Sequence, residues 1–144
     1  MNFVIGSDHA GFQLKELVKS HLIGRGHQVE DAGPAAPESC DYPVYGLKVA
    51  NLVAAGEYDQ GVLICGTGLG MSMAANRVRG ARAALCTNEF QARMARAHNN
   101  ANILVLGERV LGSELALSIL DAYLETRFEG GRHERRLALL DRME

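Results

Sequence analysis

The sequence predicts a three-layer α/β/α sandwich around a five-stranded parallel sheet. Three observations carry this. Apolar runs of strand length alternate along the chain with stretches of helical periodicity. The most apolar of the runs, Gly61-Val62-Leu63-Ile64-Cys65, passes directly into the glycine-rich Gly66-Thr67-Gly68-Leu69-Gly70. Its unbroken apolar character suits a strand covered on both faces, the situation in all-parallel sheets. The 144 residues also fit one domain, residues 1–144.

The elements follow in order. Phe3-Val4-Ile5 is a short strand that ends at Gly6-Ser7-Asp8. Leu14, Leu17, Val18 and Leu22 have helical spacing, and Gly24 and Gly26 end that helix. His27 to Asp31 is the second strand. Pro34 and Pro37 make the segment from Gly33 to Asp41 a loop. Pro43 suits the first turn of a helix that runs to about Ala55. The Gly61–Cys65 strand is followed by a helix through Ala74, Ala75 and Asn76. Ala81 to Cys86 and Asn102 to Leu106 are the last two strands, separated by a helix from Asn88 to about His98. Helices at Ser113 to Leu124 and Gly131 to Met143 complete the chain. With right-handed crossovers this pattern is Rossmann-like. Ligands in such sheets bind outside the carboxyl ends of the strands. Those ends carry Ser7-Asp8-His9, Asp31, Cys65-Gly66-Thr67, Thr87-Asn88 and Gly107-Glu108-Arg109.

Bulk properties exclude several function classes. The chain is 47% hydrophobic and 22% charged, with a net charge of −2. Nothing global points to nucleic acid or membrane, and no apolar run is long enough to span a bilayer. The opening MNFVIGSD lacks a charged region followed by an apolar one, so no signal peptide is expected. Three cysteines, Cys40, Cys65 and Cys86, without C-x-x-C spacing favour a reducing, cytoplasmic setting over a disulfide framework. Basic residues are uneven. Four of the fifteen Lys and Arg lie in residues 1–60, whereas Arg127 to Arg142 includes five Arg. Such a terminus suits a phosphate clamp, a nucleic-acid patch or a solvated helix face.

The Cys65–Ser72 loop presents backbone N–H groups at a strand-to-helix turn, an arrangement suited to an anion. It is not a Walker A loop, because Gly70 is followed by Met71 rather than Lys. Its G-x-G-x-G spacing is not the dinucleotide fingerprint G-x-G-x-x-G. It is not a Cys-phosphatase loop, because the sixth residue after Cys65 is Met71 rather than Arg. A thiol facing a ring of N–H groups has the parts for proton abstraction beside a carbonyl. A small buried hydrophobe is the competing reading of Cys65. Likewise, Thr67 can bond its own loop backbone, His98 can meet the last carbonyls of its helix, and Asp41 can N-cap the helix at Pro43. Asn102 reads as a loop residue, and Cys40 and Cys86 as structural.

Taken together, the motifs resemble the type B ribose-5-phosphate isomerases. Gly6-Ser7-Asp8-His9-Ala10-Gly11-Phe12 with Leu14-Lys15 is similar to the opening of that family, and Asp41-Tyr42-Pro43 to its second motif. Cys65 through Asn76, Ala95 through Asn102, Leu106 through Arg109, and Phe128 through His133 with Arg136 follow in family order. They cover essentially the whole chain. The resemblance implies aldose–ketose isomerisation of a sugar phosphate by ring opening and proton transfer through a cis-enediol. It implies Cys65 as the base, Thr67 assisting at the sugar oxygens, and His98 as the ring-opening residue. Gly66, Gly68, Gly70 and Asn99 would form the anion hole. Asp8, His9, Asp41 and Tyr42 would contact substrate, and His9, Arg109, Arg132 and Arg136 would hold the phosphate. Arg132 and Arg136, four apart, share one helix face. His133, Arg135 and Arg142 are assigned to a solvated face.

Asp8 and His9 are adjacent on an extended segment and point opposite ways, and no second His/Asp pair has ligand spacing, so no metal is expected. The resemblance further implies no cofactor and a homodimer or tetramer with a shared site. In that dimer the C-terminal helix, about 131–143, would serve both interface and phosphate. His98, Asn99 and Arg109 are expected from one subunit and Cys65 from the other. Ribose 5-phosphate is the first substrate implied. Hexose 6-phosphates (allose or galactose) and tetrulose phosphates are the family's alternatives, with residues 33 to 40 bordering the site. A sugar-phosphate sensor and a nucleotide-binding module are the rivals of other classes; intact Cys65, Thr67 and His98 oppose the first, and the failed nucleotide spacings the second.

Overall fold

A computed structural model describes residues 1–142. The five strands are β1 (Asn2–Ser7), β2 (Gln28–Asp31), β3 (Gln60–Cys65), β4 (Ala83–Leu85) and β5 (Ile103–Gly107). They form one sheet in the order β2-β1-β3-β5-β4, and every pairing is parallel. The helices are α1 (Phe12–Gly24), α2 (Tyr42–Ala54), α3 (Leu69–Ala75), α4 (Glu89–Ala97), α5 (Ser113–Glu125) and α6 (Arg132–Asp141). A single 3₁₀ turn at His9–Gly11 precedes α1. Met143, the expected end of the last helix, lies outside the described residues.

Alternation along each central strand divides the core in two. Phe3, Ile5, Val62, Ile64, Leu104 and Leu106 face α1, α4 and α5, where they meet Leu14, Val18, Ala92, Ile119 and Tyr123. Val4, Leu63, Ile103 and Val105 face α2 and α3, where they meet Val49, Ala50, Val53 and Met71. Both faces being covered is why these strands read as continuous apolar runs. Helices α1 and α3, which follow the adjacent strands β1 and β3, lie on opposite faces. The order of connections therefore reverses between β1 and β3, and a crevice opens at their carboxyl ends.

The expected elements are all present, with shorter bounds at β4. Arg82 donates its N–H to the Asn102 side chain at 2.8 Å instead of to a neighbouring strand. Asn102 also donates to the Gly80 carbonyl at 2.8 Å, so it is a structural loop residue, as its sequence context suggests.

Among the described residues, one charged group lies fully inside. Lys15, on α1, is buried and bonds both Asp31 oxygens at 2.8 and 2.7 Å and the Pro34 carbonyl at 2.9 Å. It thereby ties the end of β2 to the loop that borders the crevice. Lys19 also reaches Asp31, at 2.9 Å. Burial by itself would raise the Asp31 carboxyl. Hydrogen bonds from Lys15, Lys19 and the Gly33 N–H outweigh it and hold the group below its usual range. A carboxyl depressed by folding adds stability above its unfolded pKa, and that stability is lost as pH falls through the folded value. Lys15→Met is therefore expected to cost roughly 3 kcal/mol near neutral pH, and clearly less below about pH 4 as Asp31 protonates. Urea unfolding at the two pH values checks this, and an equal loss at both would contradict it.

Candidate active site

The first wall of the crevice is the end of β1. Asp8 is extended and buried, and its Oδ1 accepts from the N–H groups of Ala10 and Gly11 at 3.0 and 3.1 Å. The turn lies directly on β3. A Cβ at Gly11 would stand 2.6 Å from the Ile64 carbonyl oxygen, so no larger residue fits there. His9 is exposed, and its Nδ1 accepts the Cys40 N–H at 3.2 Å. That bond assigns the proton of a neutral His9 to Nε2, which is left as a donor. It also pins the 33–41 loop to the end of β1.

The second wall is the loop after β3. Cys65 is buried, and its Sγ accepts the Gly68 N–H at 3.1 Å. Gly68 has φ +80, a backbone conformation that favours glycine. Gly70 lies under the Tyr42 ring, where a Cβ would come within 2.8 Å of it. The Arg109 guanidinium lies against Gly66, Nη1 3.3 Å from where a Cβ would stand. The Glu108 and Arg109 N–H groups donate to the Cys65 and Gly66 carbonyls, both at 2.9 Å. Cys65, Gly66, Gly68, Gly70, Tyr42 and Arg109 are thus one cluster within a single chain. The expected grouping of Arg109 with His98, away from Cys65, does not describe this chain: the β5 backbone holds Arg109 at the cysteine loop.

Two side chains take the more ordinary of their readings in part. Thr67 Oγ1 accepts the Leu69 N–H at 3.2 Å, a bond within its own loop that leaves its O–H proton available. Asp41 occupies the N-cap position of α2, but its carboxylate makes no capping hydrogen bond. Its main-chain carbonyl takes the Val44 N–H instead, at 3.2 Å. Cys86 is buried, and burial pushes its thiol up to about 11, consistent with a structural role. Cys40 is partly exposed, at the His9 contact.

A second cluster forms around the end of α4. His98 is the C-cap residue, and its ring stacks on that of His133 with centroids 4.1 Å apart and planes 11° from parallel. Glu129 Oε2 lies 3.8 Å from His98 Nε2 and 3.4 Å from His133 Nε2. The ring of His98 therefore meets α6 and the Glu129 segment, not the last carbonyls of α4. His133 is buried beside Leu137, which corrects its assignment to a solvated face. Burial first, then the charges of His98 and Arg132, hold the His133 pKa below its ordinary value. Arg132 and Arg136 are exposed on the same helix, and Asn99 is exposed after His98. Among the described residues, no hydrogen bond or ion pair joins this cluster to the Cys65 loop.

Sequence reasoning missed Glu129 and His133 as partners of His98. It also missed the trio's potential as ligands, whose donor atoms lie within 4.8 Å of one another. The available signal was the i, i+4 spacing of His133 and Leu137, which puts the histidine on one helix face with an apolar residue. Glu108, a strand-end residue within the Leu106–Arg109 motif, accepts the Leu14 N–H with its carboxylate at 3.0 Å at the start of α1.

Comparison with known proteins identifies the family. A family model described as Ribose/Galactose Isomerase matches residues 3–140. Ribose-5-phosphate isomerase B of Escherichia coli strain K12 is 48% identical over 139 residues, 96% of this chain and 93% of that protein. A solved Clostridium thermocellum ribose-5-phosphate isomerase B superposes with a TM-score of 0.97 at 55% identity, covering 98% of this chain and 95% of the other. The Mycoplasma genitalium ribose-5-phosphate isomerase B structure, which has ribulose 5-phosphate bound, gives 0.95 at 43% identity over 98% and 94% of the two chains. On the match of family model, sequence and fold across nearly its full length, the chain belongs to the ribose/galactose isomerase family.

Proposed function

We propose that this chain interconverts ribose 5-phosphate and ribulose 5-phosphate, acting as one domain that dimerises to complete its site. The observation that carries the reading is Cys65 Sγ facing the Gly68 N–H inside a glycine loop overlaid by Tyr42 and Arg109. The relatives' names supply the substrate: the E. coli protein is a ribose-5-phosphate isomerase, and the M. genitalium structure holds ribulose 5-phosphate.

The chemistry runs in two stages. In the first, the bond from C1 to the ring oxygen breaks and its electron pair goes to that oxygen, which takes a proton from His98. The C1 hydroxyl loses its proton to Asp8, whose Oδ2 is not used by the loop, and C1 becomes an aldehyde. In the second, the Cys65 thiolate removes the C2 proton. The C2–H electrons form the C1=C2 double bond, and the carbonyl electrons move to O1, where loop N–H groups and Asn99 receive the charge. Thr67 relays the O2 proton to O1. The C2 carbonyl then forms, and C1 takes back the proton carried by Cys65. Arg109, Arg132, Arg136 and His9 hold the phosphate, which suits guanidinium donors. Asp41 and Tyr42 line the sugar. These steps move protons only, so no cofactor is invoked.

Dimerisation is supported by an apolar surface beside the cysteine loop. Tyr42, Val44, Leu47, Leu69 and Met73 are all exposed on α2 and α3, Met73 by 68%. An apolar patch of this kind on a soluble chain is characteristic of an interface. The proposed dimer requires a partner's His98 cluster to meet the Cys65 loop across that surface, since no hydrogen bond or ion pair among the described residues joins the two within one chain. A reducing, cytoplasmic setting is supported by three free cysteines, and no helix among the described residues is long and apolar enough to cross a membrane.

Turnover is expected with ribose 5-phosphate in the presence of EDTA, ahead of allose 6-phosphate, galactose 6-phosphate and a tetrulose phosphate in a coupled assay. Binding in thermal shift without turnover of any of them would favour a sensor instead. Cys65→Ala should lower kcat by about 10³-fold or more while leaving binding within a few-fold; retained turnover would remove Cys65 as the base. Arg132→Ala with Arg136→Ala should raise KM roughly 10- to 100-fold with a smaller change in kcat. An unchanged KM would rule out the clamp. Met73→Asp with Leu47→Asp is expected to yield monomers in sedimentation analysis and to lose activity with them; a fully active monomer would refute the shared site.

A further inference from the structure

We infer that Glu129 and His133 are positioning residues for His98, holding its imidazole at the angle from which it protonates the sugar ring oxygen. The inference rests on the isomerase reading above and concerns two residues that the mechanism has not used.

His98 needs such support. It sits where α4 ends, ahead of Asn100, whose φ of +43 turns the chain sharply. Its side chain is 36% exposed, so solvent alone would leave the ring free to rotate. The stack with His133, at 4.1 Å and 11°, fixes the ring plane. The Glu129 carboxylate, 3.8 Å from Nε2, biases which way the ring edge faces. Glu129 is itself held: its N–H donates to the Ala97 carbonyl at 3.0 Å, next to His98 in the chain. An ordinary core position at His133 would be filled by an apolar side chain. Instead a buried imidazole stands there, its Nε2 without a well-formed hydrogen bond and 3.4 Å from the Glu129 carboxylate. Burial first, then His98 and the α6 arginines nearby, lower the His133 pKa and so disfavour a pair of stacked cations.

A bound metal is the competing occupant of the trio. Nearly parallel rings aim their nitrogen lone pairs side by side rather than toward a common point, which is poor geometry for two ligands of one ion.

The test compares the wild-type chain with Glu129→Ala, His133→Ala and His133→Phe in EDTA-treated buffer. Substrates are ribose 5-phosphate and its C2-deuterated form. The two alanine variants should lose roughly 10- to 100-fold in kcat with KM nearly unchanged, the usual scale for a misplaced catalytic group. Ring opening should then limit turnover, so their primary deuterium isotope effect should lie near one. His133→Phe preserves the buried stack and should recover most of kcat, which also separates positioning from loss of folding. Unchanged kcat in the alanine variants, or a loss that keeps a full isotope effect, would overturn the inference. So would EDTA-sensitive wild-type activity restored by zinc. An inactive wild type would count against the isomerase function itself, whereas an active wild type with indifferent variants would count only against positioning.

Discussion

The site depends on how closely the backbone after β3 approaches the end of β5. A Cβ at Gly107 would stand 2.6 Å from the Thr67 backbone, so the two segments can touch only because Gly107 has no side chain. That contact lets the Glu108 and Arg109 N–H groups bond the Cys65 and Gly66 carbonyls. The same residues then do more. Glu108 caps the start of α1 through Leu14, and Arg109 lays its guanidinium on the glycine loop. One close backbone approach thus aligns the thiol, the N–H groups and a cation. Gly11 on Ile64 is the matching approach on the β1 side, and it brings Asp8 and His9 to the same crevice.

The chemistry-bearing residues nevertheless fall into two groups. Asp8, His9, Tyr42, Cys65, Thr67 and Arg109 gather at the ends of β1, β3 and β5. His98, Glu129, His133, Arg132 and Arg136 gather where α6 packs near the end of α4. Under the proposed mechanism base and ring-opening acid address the same few atoms of one substrate, and it is the separation of the two groups within this chain that favours a second chain in the proposal. The exposed apolar side chains of α2 and α3, Val44 and Met73 among them, lie beside the first group.

Buried charge performs a related service for the loop between β2 and α2. A lysine sealed in the core is unfavourable unless its hydrogen bonds are met. Lys15 meets them with Asp31 and the Pro34 carbonyl, so the cost of its burial is offset only when the loop takes this path. With the Cys40 N–H on His9, the segment that borders the crevice is fixed at both ends. A segment pinned in this manner can vary in its middle residues without releasing the site.

The sequence by itself determined the sheet, its order of elements and most of the candidate residues. Strands buried on two faces must be continuously apolar, and glycines must stand where backbones touch, so both leave marks in the letters. The motif set around Cys65 and Asp8 was legible for the same reason, being local in the chain. Tertiary structure alone decided which of these residues meet. Arg109 was placed at Cys65 by β5 main-chain bonds, and Asp41 was left without its capping bond. Asn102 was committed to holding Gly80 and Arg82. His133, which reads as one more polar residue in an Arg-rich helix, became the partner of His98 across 35 positions of sequence. Periodicity can report which face of a helix is buried, but not what that face is buried against, because that depends on packing between segments whose separation along the chain carries no information about their distance in space.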